Sequence, residues 1–230
     1  KRHTLLPVIH VKDVQQTLEN VNIAVDEGAD GVFLISHGIF DLDLFGIYRA
    51  VREKYSKLWI GLNFLDTPNI EAAGIIIGHG RFTSGLWVDN AGIGEQHNSI
   101  TIHKDAYQCL ALRKKLWKNE LYFGGVAFKH QQPVEDYFLV AKEATKWVDV
   151  ITTSGEATGQ SPDTGKIMQM RDGMGKDFPF AIASGITPEN VEQYLEYVDC
   201  FMVATGINKD NDFYSLNPKK VRKLIKAIGN

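Results

Sequence analysis

Residues 180–190 read FAIASGITPEN, and this short segment shows how the rest of the chain is organised. Its first part is an apolar run rich in β-forming residues that ends in the polar Ser184, and a glycine follows. Thr187 then precedes Pro188, so a capping residue stands before a proline, which is tolerated at the first position of a helix. The segment therefore predicts a buried strand, a tight glycine turn and the start of a helix.

Seven more runs of this kind lie along the chain, at residues 5–10, 31–36, 58–63, 85–89, 122–129, 148–153 and 201–205. They recur about every 27 residues, which is roughly the length of one strand, one helix and their two connections. The segments between them place apolar residues on one helical face, and Asn217-Pro218 marks the start of the last helix. Strands with little polar alternation are typical of a parallel sheet covered by helices.

Eight such units favour a closed barrel over an open sheet. A (β/α)8 barrel typically has about 250 residues, close to the 230 of this chain. No Pro/Gly/Ser-rich linker or low-complexity tract divides the sequence. We therefore predict an α/β fold, a (β/α)8 TIM barrel, in which residues 1–230 form a single domain.

The charge balance and the cysteine content argue against several classes of protein. Lys and Arg total 25 against 28 Asp and Glu, so the net charge of -3 gives no reason to expect nucleic-acid binding. No apolar stretch is long enough to span a bilayer, and the chain starts without a signal-peptide pattern. Cys109 and Cys200 fall in a predicted helix and a predicted strand, where buried free thiols are expected. These features predict a cytoplasmic protein without membrane insertion, and they leave open whether it forms a homo-oligomer.

In barrels of this type the active site lies at the carboxyl ends of the strands. The polar residues there are His10, Ser36, His37, Asn63, Asp89, Asn90, Lys129, Thr153, Ser154, Ser184 and Thr205. Ser36, Asn90 and Thr153 are explained as turn formers. A lysine and an aspartate near a barrel core are costly unless they are paired or used. We therefore predict that Asp89 is a catalytic general acid or base and that Lys129 stabilises developing negative charge.

The alternation of side chains along a strand also places Trp59 and Trp87 inside the barrel, on the same side as the polar strand ends. Gly61 and Gly125 are available to make room for them. We interpret the two tryptophans as core filling.

Two glycine turns near the end of the chain predict an anion site. Ser184-Gly185 follows the seventh run and Thr205-Gly206 the eighth, and the loops after these two strands commonly bind phosphate in barrel enzymes. We expect the N–H groups of Gly185 and Thr205 to converge on one anion, with the positive end of the following helix directed there. A Gly185→Asp exchange is then expected to weaken phosphate binding with much less effect on folding, because the loop should lie at the surface.

The remaining residues of this end of the barrel are assigned to the rest of the substrate. The predicted substrate-binding residues are His10, His37, Asn63, Ser154, Gly155 and Thr158. Ser154, Gly155 and Thr158 belong to the glycine-rich segment 153–161, which could cradle a second anion, close as a lid, or be a flexible loop that does neither. The long connection 90–103 is a second candidate for a lid.

Several cofactor motifs are absent from the sequence. It contains no Walker A pattern, no Gly-x-Gly-x-x-Gly after the first strand, and no His-x-His or His-Glu-x-x-His spacing. Nucleoside triphosphate chemistry, dinucleotide binding and a zinc site are therefore not expected, and no cofactor is predicted. One alternative is a divalent ion, most simply Mg²⁺ bridged to the substrate, held where His10, His37 and Asp89 meet.

Four motifs in the second half resemble the BtpA family, whose relatives include SgcQ-type proteins, within the wider group of ribulose-phosphate-binding barrels. They are DVITTSGEATG at 149–159, ASGITPEN at 183–190, DCFMVATG at 199–206 and NPKKVR at 217–222, and the second is the most specific. The start of the chain matches the family only in part. The resemblance implies a TIM barrel with Gly185 and Thr205 near a phosphate.

The residues favour an enzyme that acts on a small phosphorylated sugar or a nucleotide-like ligand. Phosphoribosyl or glycosyl transfer and sugar-phosphate isomerisation both suit an aspartate that transfers protons beside a lysine. A Schiff base on Lys129 is a third route. The alternative from another class is a non-catalytic assembly or interaction protein, which the resemblance to the BtpA family suggests because that family is named for a part in photosystem I accumulation.

Overall fold

The computed structural model describes residues 2–79, 83–117 and 119–229. Within them, eight parallel strands close into a barrel with helices around it, which confirms the predicted (β/α)8 fold. In barrel order these strands are β1 Thr4–His10, β2 Gly31–Ile35, β3 Trp59–Asn63, β4 Gly85–Val88, β7 Leu121–Gly125, β8 Val150–Thr153, β9 Phe180–Ala183 and β10 Cys200–Val203. The barrel closes where β1 pairs with both β2 and β10.

The helices connect successive strands along the outside of the barrel. They are α1 Val14–Asp26, α2 Asp41–Lys54, α3 Asn69–His79, α4 Lys104–Leu116, α5 Tyr137–Ala144, α6 Thr164–Met174 and α7 Pro218–Ala227. Several begin at a short polar side chain that accepts a hydrogen bond from the first turn, as the predicted cap Asn217 does for the N–H groups of Lys219 and Lys220. The predicted start of the last helix at Pro218 is confirmed.

Four aromatic rings fill the interior of the barrel on one side. The ring of Phe33 lies 5.1 Å from that of Trp59, 5.7 Å from that of Trp87 and 5.1 Å from that of Phe123, all in edge-to-face geometry. A Cβ atom at Gly61 would overlap the Phe33 ring, so this position must be glycine. The two tryptophans therefore pack in the inner cluster of the barrel as predicted.

The run predicted at residues 122–129 is a strand only as far as Gly125. The next residues turn away from the barrel, with left-handed backbone at Ala127 (φ 47°) and His130 (φ 66°). Val126, Ala127 and Phe128 are all buried, so their apolar character extended the predicted strand beyond its true end. Lys129 therefore lies on a loop and not on a strand.

Two other predicted connections also differ. The helix expected after Thr187-Pro188 is a short 3₁₀ segment, Val191–Tyr194, although Thr187 Oγ1 does accept a hydrogen bond from the Glu189 N–H at 3.2 Å. The connection 90–103, a candidate lid, contains the antiparallel hairpin β5 Ile93–Gln96 and β6 Ser99–Ile102. A carboxylate oxygen of Glu95 accepts from the N–H groups of Glu135 and Asp136 at 2.8 and 2.9 Å, which fixes this hairpin to the segment before α5.

Among the described residues, one arrangement of hydrogen bonds occurs three times at the amino ends of the strands. An aspartate before a strand donates its N–H to the carbonyl of the first or second residue of the preceding barrel strand, and its carboxylate accepts that residue's N–H. For Asp199 the partner is Phe180, with both distances 2.9 Å, and Arg171 adds a 2.7 Å ion pair from α6. Asp149 with Tyr122 and Arg113, and Asp30 with Leu5 and Arg2, repeat the pattern.

The arginines of these three aspartate–arginine pairs differ in how deeply they are buried. The contributions of the pairs to stability should therefore differ as well. Asp199→Ala leaves the guanidinium of Arg171, which is 10% exposed, without its carboxylate, so we expect the free energy of unfolding to fall by about 3 kcal/mol. Asp30→Ala removes the partner of Arg2, which is 74% exposed, and should cost about 1 kcal/mol. Urea denaturation of both variants measures the difference, and equal losses would contradict this account.

Candidate functional site

A cavity of about 350 Å³ opens at the carboxyl ends of the barrel strands. Of the residues predicted for the site, it is lined by His10, His37, Asp89, Lys129, Thr158, Ser184 and Thr205. Trp87 and Phe128 form part of its apolar floor. The structure thus brings residues from six different connections to one place, which sequence spacing alone could not establish.

Asp89 directly follows β4 and is held by three neighbours. Asn63 Nδ2 donates to its carboxylate at 3.0 Å. Gln131 Nε2 donates to the Asp89 carbonyl at 2.7 Å and to the Gly125 carbonyl at 3.0 Å. A Cβ atom at Gly125 would overlap the Asp89 carbonyl, so glycine is required for this close approach. Gln131 is a positioning residue that the sequence did not reveal, and Asn63 acts here through Asp89.

The electrostatic environment of Asp89 favours its protonated form. Burial raises the pKa of this carboxyl above its ordinary value, and the Asn63 hydrogen bond and the positive charges of Lys129 and His130 only partly oppose this effect. A carboxylate with a raised pKa is a stronger base than an exposed aspartate, which suits proton transfer. Asp89 therefore has the environment expected of a general acid or base.

Lys129 is fixed at both ends although it lies on a loop. Its backbone N–H donates to Ser154 Oγ at 2.9 Å, and its Nζ donates to Thr158 Oγ1 at 3.2 Å. The first bond ties the loop after β7 to the end of β8, and the second ties the lysine side chain to segment 153–161. The ammonium group is thereby held at the edge of the cavity.

Lys166, on the first turn of α6, also bonds to the loop after β7 and to the loop after β8. Its Nζ donates to the Ala127 carbonyl at 2.5 Å and to the Ser154 carbonyl at 2.7 Å. Burial lowers the pKa of this amine to about 8, an effect that the charge of Glu156 partly opposes. No motif singled out Lys166, because its role arises from two carbonyl groups that converge only in the folded chain.

Segment 153–161 lies across the mouth of the barrel. Its Thr158 lines the cavity, and the Gly159 N–H donates to Ser184 Oγ at 3.0 Å. Ser184 itself has a left-handed backbone (φ 87°), a conformation that is unusual for a residue with a side chain. The segment is thus joined to the loop after β9, and which of its three interpretations holds stays a prediction.

Several predicted residues lie elsewhere. Ser154 and Gly155 line a separate cavity of about 480 Å³ behind segment 153–161, together with Lys166. Gly185 is buried, and a Cβ atom there would overlap the backbone of Gln160 and Ser161. The expectation that Gly185→Asp would spare folding is therefore wrong, because any side chain at this position collides with a neighbouring loop.

The loops after β9 and β10, where an anion site is predicted, differ from the expectation in the element that follows them. In the part of the chain that the structure describes, the N–H groups of Gly185, Thr205 and Gly206 donate to no protein acceptor. The chain after β10 forms only the three-residue 3₁₀ turn Thr205–Ile207, and α7 begins at Pro218. The expected helix end directed at the anion is therefore absent from this position.

Three aromatic rings form one wall of the cavity. The ring of Phe213 lies 3.9 Å from that of His10 at an angle of 33°, and His37 contacts both rings edge-on at 5.4 and 5.1 Å. Burial, with the nearby charges of His37 and Lys129, lowers the pKa of His10 to about 4. His10 is therefore neutral near pH 7. Phe213 was not predicted, because it comes from a loop far beyond the strand ends.

Metal ligands and membrane spans were searched in the same residues. Among residues 2–79, 83–117 and 119–229, no group of three or more His, Cys, Asp or Glu side chains is arranged to hold a metal ion. His10, His37 and Asp89 share the cavity but do not form such a group. None of the helices described is long and apolar enough to cross a membrane. Cys109 and Cys200 are both buried and free, as predicted.

Comparison with known sequences identifies relatives of this chain. The sequence profile of the BtpA family matches residues 60–230. A protein of Thermococcus kodakarensis described as uncharacterized is 27% identical over 189 residues, which cover 78% of this chain and 68% of that protein. The profile match leaves out the start of the chain, where the sequence resembles the family only in part.

Solved structures with a similar fold include two enzymes named for phosphorylated compounds. Orotidine 5'-monophosphate decarboxylase from Methanocaldococcus jannaschii, complexed with the inhibitor BMP, has a TM-score of 0.70 at 15% identity and 100% coverage of both chains. Phosphoribosyl anthranilate isomerase from Thermus thermophilus has a TM-score of 0.66 at 14% identity and 98% coverage of both. At these identities the likeness shows the fold alone.

The lowered pKa of His10 makes stability depend on pH in a defined direction. Between pH 6.5 and about 4 the unfolded chain binds a proton at His10 that the folded protein does not, so the folded state loses stability as the pH falls through this window. We expect His10 alone to account for about 2–3 kcal/mol of this loss.

Urea denaturation across this pH range should therefore give a shallower decline for His10→Asn than for the parent. His97→Asn, an exchange at an exposed residue of the hairpin turn, is the control and should keep the parental slope. The same slope in all three proteins would show that His10 does not titrate as described.

Proposed function

The chain belongs to the BtpA family, and we propose that it is an enzyme that acts by acid–base catalysis on a small phosphorylated ligand bound at the carboxyl ends of the barrel strands. The observation that carries the proposal is the position of Asp89 and Lys129 on one cavity. Asp89 has a raised pKa, and Lys129 is held at the cavity edge by two hydrogen bonds. One group can move a proton while the other stabilises negative charge.

The phosphate is assigned to the opposite side of the same cavity. Thr205 and Ser184 line it there, and the N–H groups of Thr205, Gly185 and Gly206 have no protein acceptor among the described residues. Backbone N–H groups without a protein acceptor are available to hold an anion. The two solved barrels named for phosphorylated compounds support this assignment by analogy of fold.

Among the reactions that suit this site, isomerisation fits best. Ligand pockets span roughly 300–1,000 Å³, and a cavity of about 350 Å³ is at the small end, which favours one small ligand over a transfer donor together with its acceptor. In an isomerisation Asp89 removes a proton from the carbon beside a carbonyl and returns it to a neighbouring atom. Lys129 stabilises the enolate oxygen that forms in between. The proton balance is zero, and no second substrate is needed.

Asp89→Asn tests the acid–base assignment. The amide is nearly isosteric and can still contact Asn63, so the thermal unfolding midpoint and ligand affinity should stay close to the parental values. Turnover should fall by about 10² to 10⁴, because proton transfer is lost. A thermal-shift screen of sugar phosphates identifies a ligand for the assay. Undiminished turnover in the variant would refute the role of Asp89 and favour a Schiff base on Lys129, which borohydride trapping would reveal. A parent protein that turns over none of the ligands it binds would instead favour the non-catalytic alternative.

Thr205→Asp tests the phosphate assignment without the steric problem at Gly185. Thr205 is exposed and lines the cavity, so a carboxylate there should repel a phosphate and weaken its binding by about 2 kcal/mol or more. In Thr205→Asn the side chain has nearly the same shape as aspartate but no charge. This variant should bind the phosphate almost as the parent does. Calorimetric titration with ribose 5-phosphate compares the three proteins. Similar affinities for the Asp and Asn variants would place the phosphate elsewhere.

A further inference from the structure

The cavity is chemically divided. Asp89, Lys129 and Thr158 provide polar groups along one part, whereas His10, His37 and Phe213, here called the aromatic wall, provide ring surfaces along another. Both parts belong to the same space as Thr205, where the phosphate is assigned. A ligand that fills this cavity therefore meets hydrogen-bonding groups on one side and aromatic rings on the other.

The aromatic wall is built from separate parts of the chain and is held firmly. His10 ends β1 and His37 follows β2, while Phe213 comes from the connection between β10 and α7. This connection is fixed near Phe213, because Asn208 Nδ2 donates to the Phe213 carbonyl at 2.9 Å. Asn20 Nδ2 donates to the carbonyl of the next residue, Tyr214, at 2.7 Å. The ring of Phe213 is thus held in position against His10.

We infer that the aromatic wall receives a planar heteroaromatic group of the ligand, so that the substrate class is a phosphorylated sugar carrying such a ring and not a bare sugar phosphate. This inference rests on the proposed function and adds the identity of the group opposite the phosphate. Flat rings stack readily on aromatic side chains, whereas the hydroxyl groups of a sugar need hydrogen-bond partners that ring faces do not supply.

Two unpaired polar atoms of the lining residues point to the same kind of ligand. His10 Nδ1 and Trp87 Nε1 are buried and have no hydrogen-bond partner in the described part of the protein. Buried polar atoms are nearly always paired, and exceptions are concentrated where a ligand or water completes the site. A heteroaromatic ring has apolar faces and polar edge atoms, so it can cover the rings and also reach such groups.

Neutral His10 is also consistent with stacking. With its pKa lowered to about 4, the imidazole carries no charge near pH 7, so its ring behaves as an aromatic surface. A charged imidazolium at this position would instead favour a second anionic group. Because His10 is neutral, the aromatic part of the cavity offers no charge to an anion, unlike a site for phosphate.

Calorimetric titration at pH 7 with ribose 5-phosphate, adenosine 5'-monophosphate and uridine 5'-monophosphate tests the inference. At least one of the two nucleotides should bind about tenfold or more tightly than ribose 5-phosphate, the gain expected from stacking one base. Phe213→Leu keeps apolar bulk without the aromatic face. It should lower the nucleotide affinity to that of ribose 5-phosphate measured with the same variant, while Phe213→Tyr should retain the gain.

Phe138→Leu is the matched control, because Phe138 is an exposed aromatic residue on α5 that does not line the cavity. It should behave as the parent does with all three ligands. If ribose 5-phosphate and both nucleotides bind equally and Phe213→Leu changes none of them, the aromatic-ring inference is wrong while the phosphate proposal stands. If none of the three binds, the phosphate proposal fails and the inference fails with it.

Discussion

The carbonyl oxygen of Ala127 accepts hydrogen bonds from Thr153 Oγ1 and Lys166 Nζ, and the arrangement of the site depends on this junction. A buried carbonyl must be paired, and here its donors are side chains of β8 and α6 instead of the backbone N–H of a neighbouring strand. Ala127, two residues after the end of β7, has a left-handed backbone, so the chain turns at this point. Lys129 is brought over the cavity by this turn, and Gln131 is brought to Asp89.

The polar groups at the two ends of the barrel are paired in different ways. At the amino ends, aspartates such as Asp149 and Asp199 pair with the start of the preceding strand and with an arginine, so the polar groups are satisfied within regular structure. At the carboxyl ends, left-handed residues such as Ser184 and unpaired N–H groups occur instead. Barrels commonly place stability at the first end and function at the second. Strained backbone persists at the second end because the surrounding contacts determine it.

The sequence allowed the barrel and the position of Asp89 to be predicted for a shared reason. Buried parallel strands are short apolar runs, and a polar residue directly after such a run lies at the mouth of the barrel, as Asp89 does. The same rule failed at Lys129, because the buried loop residues before it are as apolar as a strand. It could not find Gln131 or Phe213 at all, since their contacts depend on how loops fold over the strand ends.

Glycine was interpreted from the sequence as a means of bringing backbone close to an anion, but the structure shows that it first brings loops close to each other. A Cβ atom at Gly155 or Gly185 would overlap the backbone of Gln160, and one at Gly206 would overlap the carbonyl of Ile186. The loops after β8, β9 and β10 are therefore stacked backbone on backbone. At two of these close approaches, Gly185 and Gly206, the backbone N–H group has no acceptor in the described chain. The conformational entropy of ordering these donors is lost when the protein folds, so a ligand that binds them does not have to order them again.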